Sequence, residues 1–468
     1  MALRLTYEGG TIRVTGEERR LDLGNPSDPL LEYDPRSKTH RAPAFRYTDL
    51  VARLDREGIA YEDLVFETPE LRGLSSDYEL RSYQRAAIEA WRENGDRGVP
   101  ASEASGGSEL PRCSGVLELP TGSGKTVIAI KAIEDIAAPT LIVVPTIDLL
   151  SQWRDELRRE FDVPIGEFGG GVQSREAITV STYDSAYLKA DSIGDVFPFV
   201  IFDEVHHLGG EGYREIARLL AAPFRMGLTA TFERPDGAHE VIEELVGPVV
   251  YRTSADELAG EHLAPYDVKR IEVSLTDGER AEYERNQETF VSYLRGSGIS
   301  MQRGSDYQEL VKRSGNDPKA REALLAKQRA REIVSNAERK IEELGDILDR
   351  HRGERIIVFT AHNDLVYRLS ERFLVPAITH RTSTEERREI LNRFREGTYS
   401  RVVASNVLDE GVDVPDASVA VVLSGSGSER EFTQRLGRIL RPGEGKRALL
   451  YELVSRDTAE ENVAARRR

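Results

Sequence analysis

The feature of this sequence that most constrains its fold is an apolar run that leads directly into a glycine-rich loop containing a lysine. Residues 116-VLEL are followed by 120-PTGSGKT and then by the amphipathic segment 127-VIAIKAIEDIA. Small residues let the backbone N–H groups of such a loop close around a phosphate, and the positive end of the following helix adds attraction. The sequence therefore predicts a strand, a phosphate-binding loop and a helix, in that order.

The residues of this loop have distinct expected contacts with a bound nucleotide. We expect Lys125 to reach the β- and γ-phosphates and Thr126 to bind Mg²⁺, so the sequence predicts the use of ATP and Mg²⁺. The first glycine of the strict G-x-x-x-x-G-K-[ST] pattern is replaced by Leu119. The other loop residues that we expect to bind nucleotide are Thr121, Gly122, Ser123 and Gly124.

A second apolar run, 199-FVIF, ends in the acidic pair Asp203 and Glu204, followed by Val205 and His206. Ligands of open α/β sheets bind at the carboxyl ends of the parallel strands. We therefore expect Asp203 to hold Mg²⁺ and Glu204 to polarise an attacking water. We expect His206 to couple this pair to the neighbouring strand end.

Short apolar runs alternate with amphipathic segments of roughly 10–15 residues in two stretches of the chain. Continuous apolar strands between helices predict a parallel sheet with helices on both faces. Between about 275 and 350 the pattern gives way to charged, helical sequence. The predicted fold class is α/β, with two parallel-sheet lobes. The apolar runs are 116-VLEL, 141-LIVVP, 178-ITVST, 199-FVIFD and 224-FRMGLT in the first lobe, and 355-RIIVF, 401-RVVAS, 419-VAVVLS and 447-RALLYEL in the second.

The second lobe contains the segment 434-QRLGRILRP, which starts a predicted helix. It carries three separated amide or cationic groups, Gln434, Arg438 and Arg441. An arginine that reaches a phosphate from a second lobe can complete the charge clamp around a phosphoryl-transfer transition state. We therefore expect these three residues to act in catalysis with Lys125 and Glu204.

The first residues of the chain predict a small α+β unit. Residues 3–15 alternate in polarity around Gly9 and Gly10, which is typical of a β-hairpin. The segment 47–58 predicts a helix that ends at Gly58, a residue suited to a C-cap. Residues 101–114 are rich in glycine and serine and predict a surface insertion.

Composition excludes several classes of protein. No apolar run approaches the roughly 20 residues that span a bilayer, so we expect no membrane partner. The N-terminal residues lack the apolar region of a secretory signal. The single cysteine, Cys113, cannot form an internal disulfide or supply a cysteine-based metal site, which favours a reducing cytoplasm.

The formal net charge of −17 is accompanied by few lysines, since only ten of the 64 basic residues are lysine. Concentrated salt reduces the Debye length to about 3 Å at 1 M, so repulsion among surface carboxylates is screened there. This composition favours a salt-loving archaeal source. The alternative is an acidic protein from a cytosol of ordinary salt that is kept soluble by its charge.

Together these segments resemble the conserved motifs of superfamily-2 helicases, in chain order. The segment 80-LRSYQ precedes them as an adenine-binding motif with Gln84. DEVH, LTAT and QRLGR differ from the motifs of DEAD-box RNA helicases and are similar to those of the archaeal XPB DNA helicases, homologues of the XPB subunit of the factor TFIIH. The segments that carry the resemblance are 119–126, 141-LIVVPT, 180-VSTYDS, 203-DEVH, 228-LTAT, 356-IIVFT, 407-VLDEGVDVP and 434-QRLGRILR.

The resemblance implies a DNA-dependent ATPase that acts as a 3′→5′ DNA helicase or translocase in nucleotide excision repair, with transcription as a further setting. It implies sequence-independent binding to single-stranded DNA and duplex junctions, and a repair nuclease as partner. It also implies four domains: a damage-recognition-like domain at 1–65, a RecA-like ATP-binding lobe at 75–255, a thumb-like helical segment at 275–345 and a second RecA-like lobe at 346–460.

Sequence-independent binding implies contacts with the DNA backbone. In the family motifs, the segment with Glu410, Gly411 and Asp413 is expected to couple DNA binding to the nucleotide, with Asp413 at the nucleotide. The candidate DNA contacts are Thr146, Thr182, Arg234, Asp236, Thr360 and Arg381.

One loop departs from the family, which has Arg-Glu-Asp where this chain has Arg234-Pro235-Asp236. Proline fixes φ, removes a backbone donor and here deletes a carboxylate. Three hypotheses therefore remain open: a DNA helicase or translocase, a DNA-damage-binding switch whose ATPase drives a conformational change, and an RNA remodeller.

Overall fold

The computed structural model describes residues 3–16, 24–25, 28–66, 71, 73–96, 113–234, 236–259, 262, 266–299, 304–405, 417–424 and 448–461. The chain divides into two compact units, of which the first spans Met1–Leu258 and the second begins at Ala259. Each unit contains a parallel β-sheet with helices, which confirms the predicted α/β fold class.

The first unit begins with a five-stranded sheet of strand order β5-β6-β2-β1-β7. The predicted hairpin is confirmed, because Glu8 pairs with Thr11 around Gly9 and Gly10, both of which have positive φ. The predicted helix is confirmed as well and ends at Gly58 in the left-handed conformation. The elements are β1 (Leu3–Glu8), β2 (Thr11–Thr15), β3 (Gly24–Asn25), β4 (Asp28–Pro29), β5 (Glu32–Asp34), β6 (Thr39–Pro43), α1 (Tyr47–Glu57) and β7 (Tyr61–Asp63).

An eight-stranded sheet follows, of strand order β11-β10-β12-β9-β13-β14-β8-β15, and among its described strand pairs only that of β10 and β11 is antiparallel. Strands β9, β12, β13 and β14 are buried along their whole length, as their continuous apolar sequences predict. The elements are α2 (Ser82–Asp96), β8 (Cys113–Glu118), α3 (Lys125–Ile136), β9 (Thr140–Val144), α4 (Ile147–Glu160), β10 (Ile165–Gly169), β11 (Val172–Ser174), β12 (Ile178–Thr182), α5 (Tyr183–Lys189), β13 (Phe199–Asp203), α6 (Arg214–Leu219), β14 (Phe224–Thr229), α7 (His239–Leu245), β15 (Val249–Arg252) and α8 (Ala255–Leu258).

The five-stranded and eight-stranded sheets of the first unit pack against each other through their apolar cores. Phe45, which lies just after β6, packs against the core of the eight-stranded sheet. Ala221, which lies between α6 and β14, belongs to the core of the five-stranded sheet. The Tyr7 hydroxyl lies 3.0 Å from the carbonyl oxygen of Leu219, and a Cβ added at Gly194 would lie 2.1 Å from that hydroxyl. The two sheets therefore interlock.

The second unit is built on a six-stranded sheet of strand order β16-β21-β20-β17-β19-β18, and every described strand pair in it is parallel. Its core combines residues of the strands β17 and β20 with apolar residues of α12 and α13. The elements are β16 (Tyr266–Val273), α9 (Asp277–Ser297), α10 (Gly304–Ser314), α11 (Pro318–Ser335), α12 (Glu338–Arg350), β17 (Ile356–Phe359), α13 (Asn363–Phe373), β18 (Ala377–Ile378), α14 (Thr384–Arg395), β19 (Arg401–Ala404), β20 (Val419–Val422) and β21 (Ala448–Ser455).

The charged segment between about 275 and 350 is helical, as predicted, and consists of α9 to α12. Helix α9 begins with a capping box in which the side chains of Thr276 and Glu279 each bond the backbone N–H of the other. Helix α12 buries Ile341 and Leu344 in the core of the six-stranded sheet, and the expected boundary at 345 lies within this helix. Within the described ranges, no helix is both long enough and apolar enough to cross a membrane.

Candidate nucleotide and DNA site

The predicted phosphate loop connects β8 to α3. Gly122 and Gly124 in this loop have φ values of +86° and +79°, which residues with a Cβ rarely adopt. A Cβ at Gly124 would also lie 2.6 Å from Nε2 of Gln84. The Lys125 ammonium donates to the carbonyl oxygen of Leu119 at 3.0 Å, so it spans the loop. The loop thus has the compact backbone that phosphate binding requires.

Helix α2 supports this loop from the side through two neighbouring residues. Gln84 is 3% exposed, and its Nε2 donates to the carbonyl oxygen of Ser123 at 2.9 Å. The Tyr83 hydroxyl donates to the same carbonyl oxygen at 2.5 Å, and burial raises the pKa of Tyr83. Tyr83 was not among the predicted site residues, although it precedes Gln84 directly in 80-LRSYQ.

The acidic pair lies at the carboxyl end of β13, in the middle of the eight-stranded sheet. Asp203 is buried, and its Oδ2 accepts a hydrogen bond of 2.8 Å from Nε1 of Trp153. Burial raises the pKa of Asp203, while the Trp153 hydrogen bond and the Lys125 charge act in the opposite direction. Glu204 has a left-handed φ of +49°. Trp153 was not predicted as a site residue.

Three polar contacts join the phosphate loop, the acidic pair and the end of β14. Nδ1 of His206 lies 3.2 Å from Oγ1 of Thr229 and 3.4 Å from Oε2 of Glu204. The Leu119 N–H donates to the carbonyl oxygen of Thr229 at 2.9 Å. The expected contact of His206 with the strand that ends in 228-LTAT is therefore confirmed.

Arg234, which follows this strand, bonds two parts of the site. It donates to both carboxylate oxygens of Asp236 at 3.0 and 2.7 Å, and this pairing lowers the pKa of Asp236 well below its ordinary value. The same guanidinium donates to the carbonyl oxygen of His206 at 2.6 Å. Both side chains thus make contacts within the protein, while Pro235 lies outside the described residues.

The candidate DNA contacts of the first unit lie at one edge of the sheet. Thr146 follows β9 and caps α4, and Thr182 ends β12 and caps α5. Each threonine accepts a backbone N–H in the first turn of its helix. Because β9 and β12 are adjacent parallel strands, both helix N-termini point to the edge that carries Asp203.

The candidate DNA contacts of the second unit differ in exposure. Arg381 is exposed in the turn after β18. Thr360 is fully buried, and its hydroxyl lies 2.9 Å from the Ser424 hydroxyl. The other predicted residues of this unit's motifs lie outside the described ranges: Glu410, Gly411, Asp413, Gln434, Arg438 and Arg441.

A strand, a phosphate loop and a helix followed by an acidic strand end, together with a second parallel α/β unit, are typical of a P-loop nucleotide-binding protein. Three family profiles match the chain. They are the Xeroderma pigmentosum group B helicase damage recognition domain at residues 5–65, the res subunit of type III restriction enzymes at 77–234, and the helicase conserved C-terminal domain at 339–443.

Whole-chain relatives carry the assignment further. The DNA 3′-5′ translocase XPB2 of Sulfurisphaera tokodaii is 44% identical over 96% of this chain and 98% of that protein. A Rad25 protein of Halobacterium salinarum is 33% identical over 99% of this chain and 69% of that protein. The XPB/SSL2 subunit of general transcription and DNA repair factor IIH from Saccharomyces cerevisiae is 28% identical over 76% of this chain and 41% of that protein. The chain belongs to the XPB family of superfamily-2 helicases.

Proposed function

We propose that this protein is a DNA-dependent ATPase that moves 3′→5′ along DNA and separates strands. The observation that carries the proposal is the contact between the phosphate loop, the acidic pair and the end of β14 through Leu119, His206 and Thr229. The 44% identity to an archaeal DNA 3′-5′ translocase over almost the whole chain supports the direction of movement.

The first unit fits ATP and Mg²⁺. Gly122 and Gly124 have positive φ values, and Gln84 packs against Gly124 on the side of the absent Cβ, so the loop has a compact glycine backbone that suits the close approach of a phosphate. The Thr126 hydroxyl and the Asp203 carboxylate are oxygen ligands of the kind that Mg²⁺ prefers. Mg²⁺ would supply charge neutralisation at the phosphates. We assign the remaining nucleotide contacts to Gln84, Thr121, Gly122, Ser123, Lys125 and Asp413.

The proposed hydrolysis uses a division of labour among charged side chains. Glu204 accepts a proton from the attacking water, and Lys125 stabilises the negative charge that develops on the transferred phosphoryl group. We propose that Gln434, Arg438 and Arg441 of the second lobe stabilise the same negative charge, as the family motif implies. Gain and loss of the nucleotide would then change the relation between the lobes and drive movement along DNA.

We propose that DNA binds by its backbone, which makes binding independent of sequence. Thr146 and Thr182 lie at helix N-termini, where hydroxyls, backbone N–H groups and the helix dipole favour phosphate. In the second unit we assign the exposed Arg381, and with it Thr360, whose hydroxyl would have to exchange its Ser424 partner for DNA.

The test is an ATPase assay beside a strand-displacement assay, in high KCl, on a duplex with a 3′ overhang. We expect DNA to stimulate ATP hydrolysis and the overhang strand to be displaced. Lys125→Ala should abolish both activities. Lack of ATP turnover by the unmodified chain, with and without DNA, would disprove the proposed function, and stronger stimulation by RNA would favour an RNA remodeller.

A second candidate is a damage-binding switch whose ATPase drives a conformational change without unwinding. The contacts of Arg234 with Asp236 and with the His206 carbonyl favour it, because both side chains of this loop are engaged within the protein. DNA-stimulated turnover without strand displacement would support the switch. Pro235→Glu, which restores the family's carboxylate, should raise strand displacement more than ATPase; equal changes would count against a role of this loop in unwinding.

We further propose a role in nucleotide excision repair in the cytoplasm of a salt-loving archaeon, with a repair nuclease as partner and transcription as a second setting. The damage recognition profile at residues 5–65 and the haloarchaeal relative support this setting. Co-purification of a nuclease activity with the tagged chain from a haloarchaeal lysate in molar KCl, and its loss in low salt, would test the partnership.

A further inference from the structure

The chain has two tryptophans, and both are buried in the first unit. Trp153 lies in α4, is 2% exposed, and donates from Nε1 to Oδ2 of Asp203 at 2.8 Å. The other carboxylate oxygen, Oδ1, accepts the backbone N–H of Glu204 at 3.0 Å. Each oxygen of Asp203 therefore has one donor from the protein, which fixes the plane of the carboxylate.

Orientation is the property that such donors control. The last torsion of an aspartate is broad and only weakly restricted by its own geometry, so an unsupported carboxylate samples many planes. Each carboxylate oxygen has two lone pairs, so a hydrogen bond from an indole leaves capacity for a metal ion. The hydrogen-bond partners of metal ligands hold those ligands in position, and their loss costs about 10–100-fold in metal affinity.

We propose that Trp153 is a positioning residue that holds Asp203 ready for Mg²⁺; this inference rests on the proposed function, in which Asp203 binds the Mg²⁺ of the nucleotide. The indole cannot itself be a metal ligand, because its nitrogen carries a proton and only donates hydrogen bonds. Burial of the pair strengthens the hydrogen bond, since water does not compete for either partner.

The structure offers a matched control in the second tryptophan. Trp91 is fully buried in α2, and its Nε1 donates to the carbonyl oxygen of Arg225 at 2.9 Å. Trp91 and Trp153 thus have the same side chain, similar burial and one indole hydrogen bond each. They differ in the partner, which is a backbone carbonyl for Trp91 and the candidate metal carboxylate for Trp153.

The first measurement compares the Mg²⁺ dependence of ATP hydrolysis in full-length Trp153→Phe and Trp91→Phe. We expect the Mg²⁺ concentration for half-maximal rate to rise about tenfold in Trp153→Phe and to stay unchanged in Trp91→Phe. The rate at saturating Mg²⁺ should be largely retained in both. An equal Mg²⁺ dependence of the two variants would overturn the positioning role and leave the proposed function intact.

The second measurement does not depend on turnover or on the folding of Trp153→Phe. Trp91→Phe leaves Trp153 as the only tryptophan, so its fluorescence reports on the Asp203 partner. We expect MgCl₂, titrated in the presence of a non-hydrolysable ATP analogue, to change this fluorescence, and Asp203→Asn in the same background to abolish the change. An unresponsive Trp153 in a chain that hydrolyses ATP would overturn the inference. A wild-type chain without any ATP turnover would overturn the proposed function and the inference together.

Discussion

Glu204 is held in an unusual backbone conformation at the end of a buried strand. Its φ of +49° places a residue with a Cβ in the left-handed region, at a cost of about 1–2 kcal/mol. The turn that follows, Val205–Gly209, leaves the sheet directly after the acidic pair. Residues held in sparsely populated conformations cluster at functional sites, where the surrounding structure fixes them. The left-handed conformation of Glu204 therefore supports its assignment as the general base.

Glu204→Gln should reduce the rate of ATP hydrolysis by about 100-fold or more, because removal of a general base has an effect of that size. Nucleotide binding should be retained, since the change is nearly isosteric. Steady-state rates and the binding of a fluorescent ATP analogue check both parts. The exposed Glu211 offers the control, and Glu211→Gln should leave the rate unchanged. A Glu204→Gln protein with normal turnover would contradict the assignment of the base.

Gly124 is a position that the phosphate loop reserves for glycine. In Gly124→Ala the Cβ would meet Nε2 of Gln84 at 2.6 Å, and the φ of +79° would add strain of about 1–2 kcal/mol. We expect a lower Tm and weaker ATP binding. Gln84→Ala in the same chain should recover part of the Tm loss, because it removes the collision and leaves the strain.

The control for this substitution is Gly278 in α9, where an added Cβ meets open space and φ is not positive. Gly278→Ala should raise the free energy of unfolding by about 0.5–1 kcal/mol, as expected for glycine within a helix. A Tm of Gly124→Ala equal to that of wild type would show that the loop backbone differs from the one described.

Among the elements, the sheet order explains why some site residues could be predicted and others could not. The strand–loop–helix order around Lys125 follows from local hydrophobic periodicity, and the ends of parallel strands meet at one edge, so Asp203 could be placed beside it. Trp153 had no such signal, because it reaches Asp203 only when α4 packs against the sheet over β9, β10 and β12. In the sequence, Trp153 is an apolar residue on a predicted helix and cannot be distinguished from an ordinary core residue.

The packing between the two apolar cores of the first unit could not be predicted from the sequence either. The hairpin and the helix of the first residues could be predicted from glycine positions and alternation. In the sequence, Phe45 and Ala221 look like ordinary apolar residues. That each packs in the core of the other sheet depends on tertiary packing alone. Contacts at large sequence separation leave no periodic signature in a single sequence.

Substitution of Tyr7 tests the packing between the five-stranded and eight-stranded sheets. Tyr7→Phe should lower the free energy of unfolding of the first unit by about 0.5–1.5 kcal/mol, because it removes the hydrogen bond to the Leu219 carbonyl. Thermal unfolding followed by circular dichroism measures the change. Tyr33, which is 51% exposed, provides the control, and Tyr33→Phe should leave the Tm unchanged. Equal effects of the two substitutions would show that the hydroxyl of Tyr7 does not stabilise this packing.

The same residue predicts a pH dependence. Burial raises the pKa of Tyr7 from 10.0 to about 12, so the folded protein favours the protonated hydroxyl. This contribution is fully present below pH 10 and is lost as pH rises towards 12. The Tm difference between wild type and Tyr7→Phe should therefore shrink over that interval. A difference that grows above pH 10 would contradict the sign of the pKa shift.

The charge of the whole molecule sets its response to salt. A net charge of −17 produces self-repulsion, which destabilises the compact state and which salt screens. We expect the Tm to rise between about 0.1 M and 1 M KCl, as the Debye length falls from about 10 Å to 3 Å. The same salt series with a non-ionic osmolyte in place of KCl controls for general stabilisation. A Tm that falls with KCl would favour a source of ordinary salt.

The packing between the five-stranded and eight-stranded sheets also connects the N-terminal sheet mechanically to the nucleotide loop. Ala221, seated in the five-stranded sheet's core, precedes β14 by a few residues, and the other end of that six-residue strand is Thr229, the partner of both Leu119 and His206. A force that separates the five-stranded sheet from the eight-stranded sheet therefore acts on β14, whose other end is hydrogen-bonded to the nucleotide loop. A displacement of the five-stranded sheet would therefore reach the nucleotide loop over the length of a single strand.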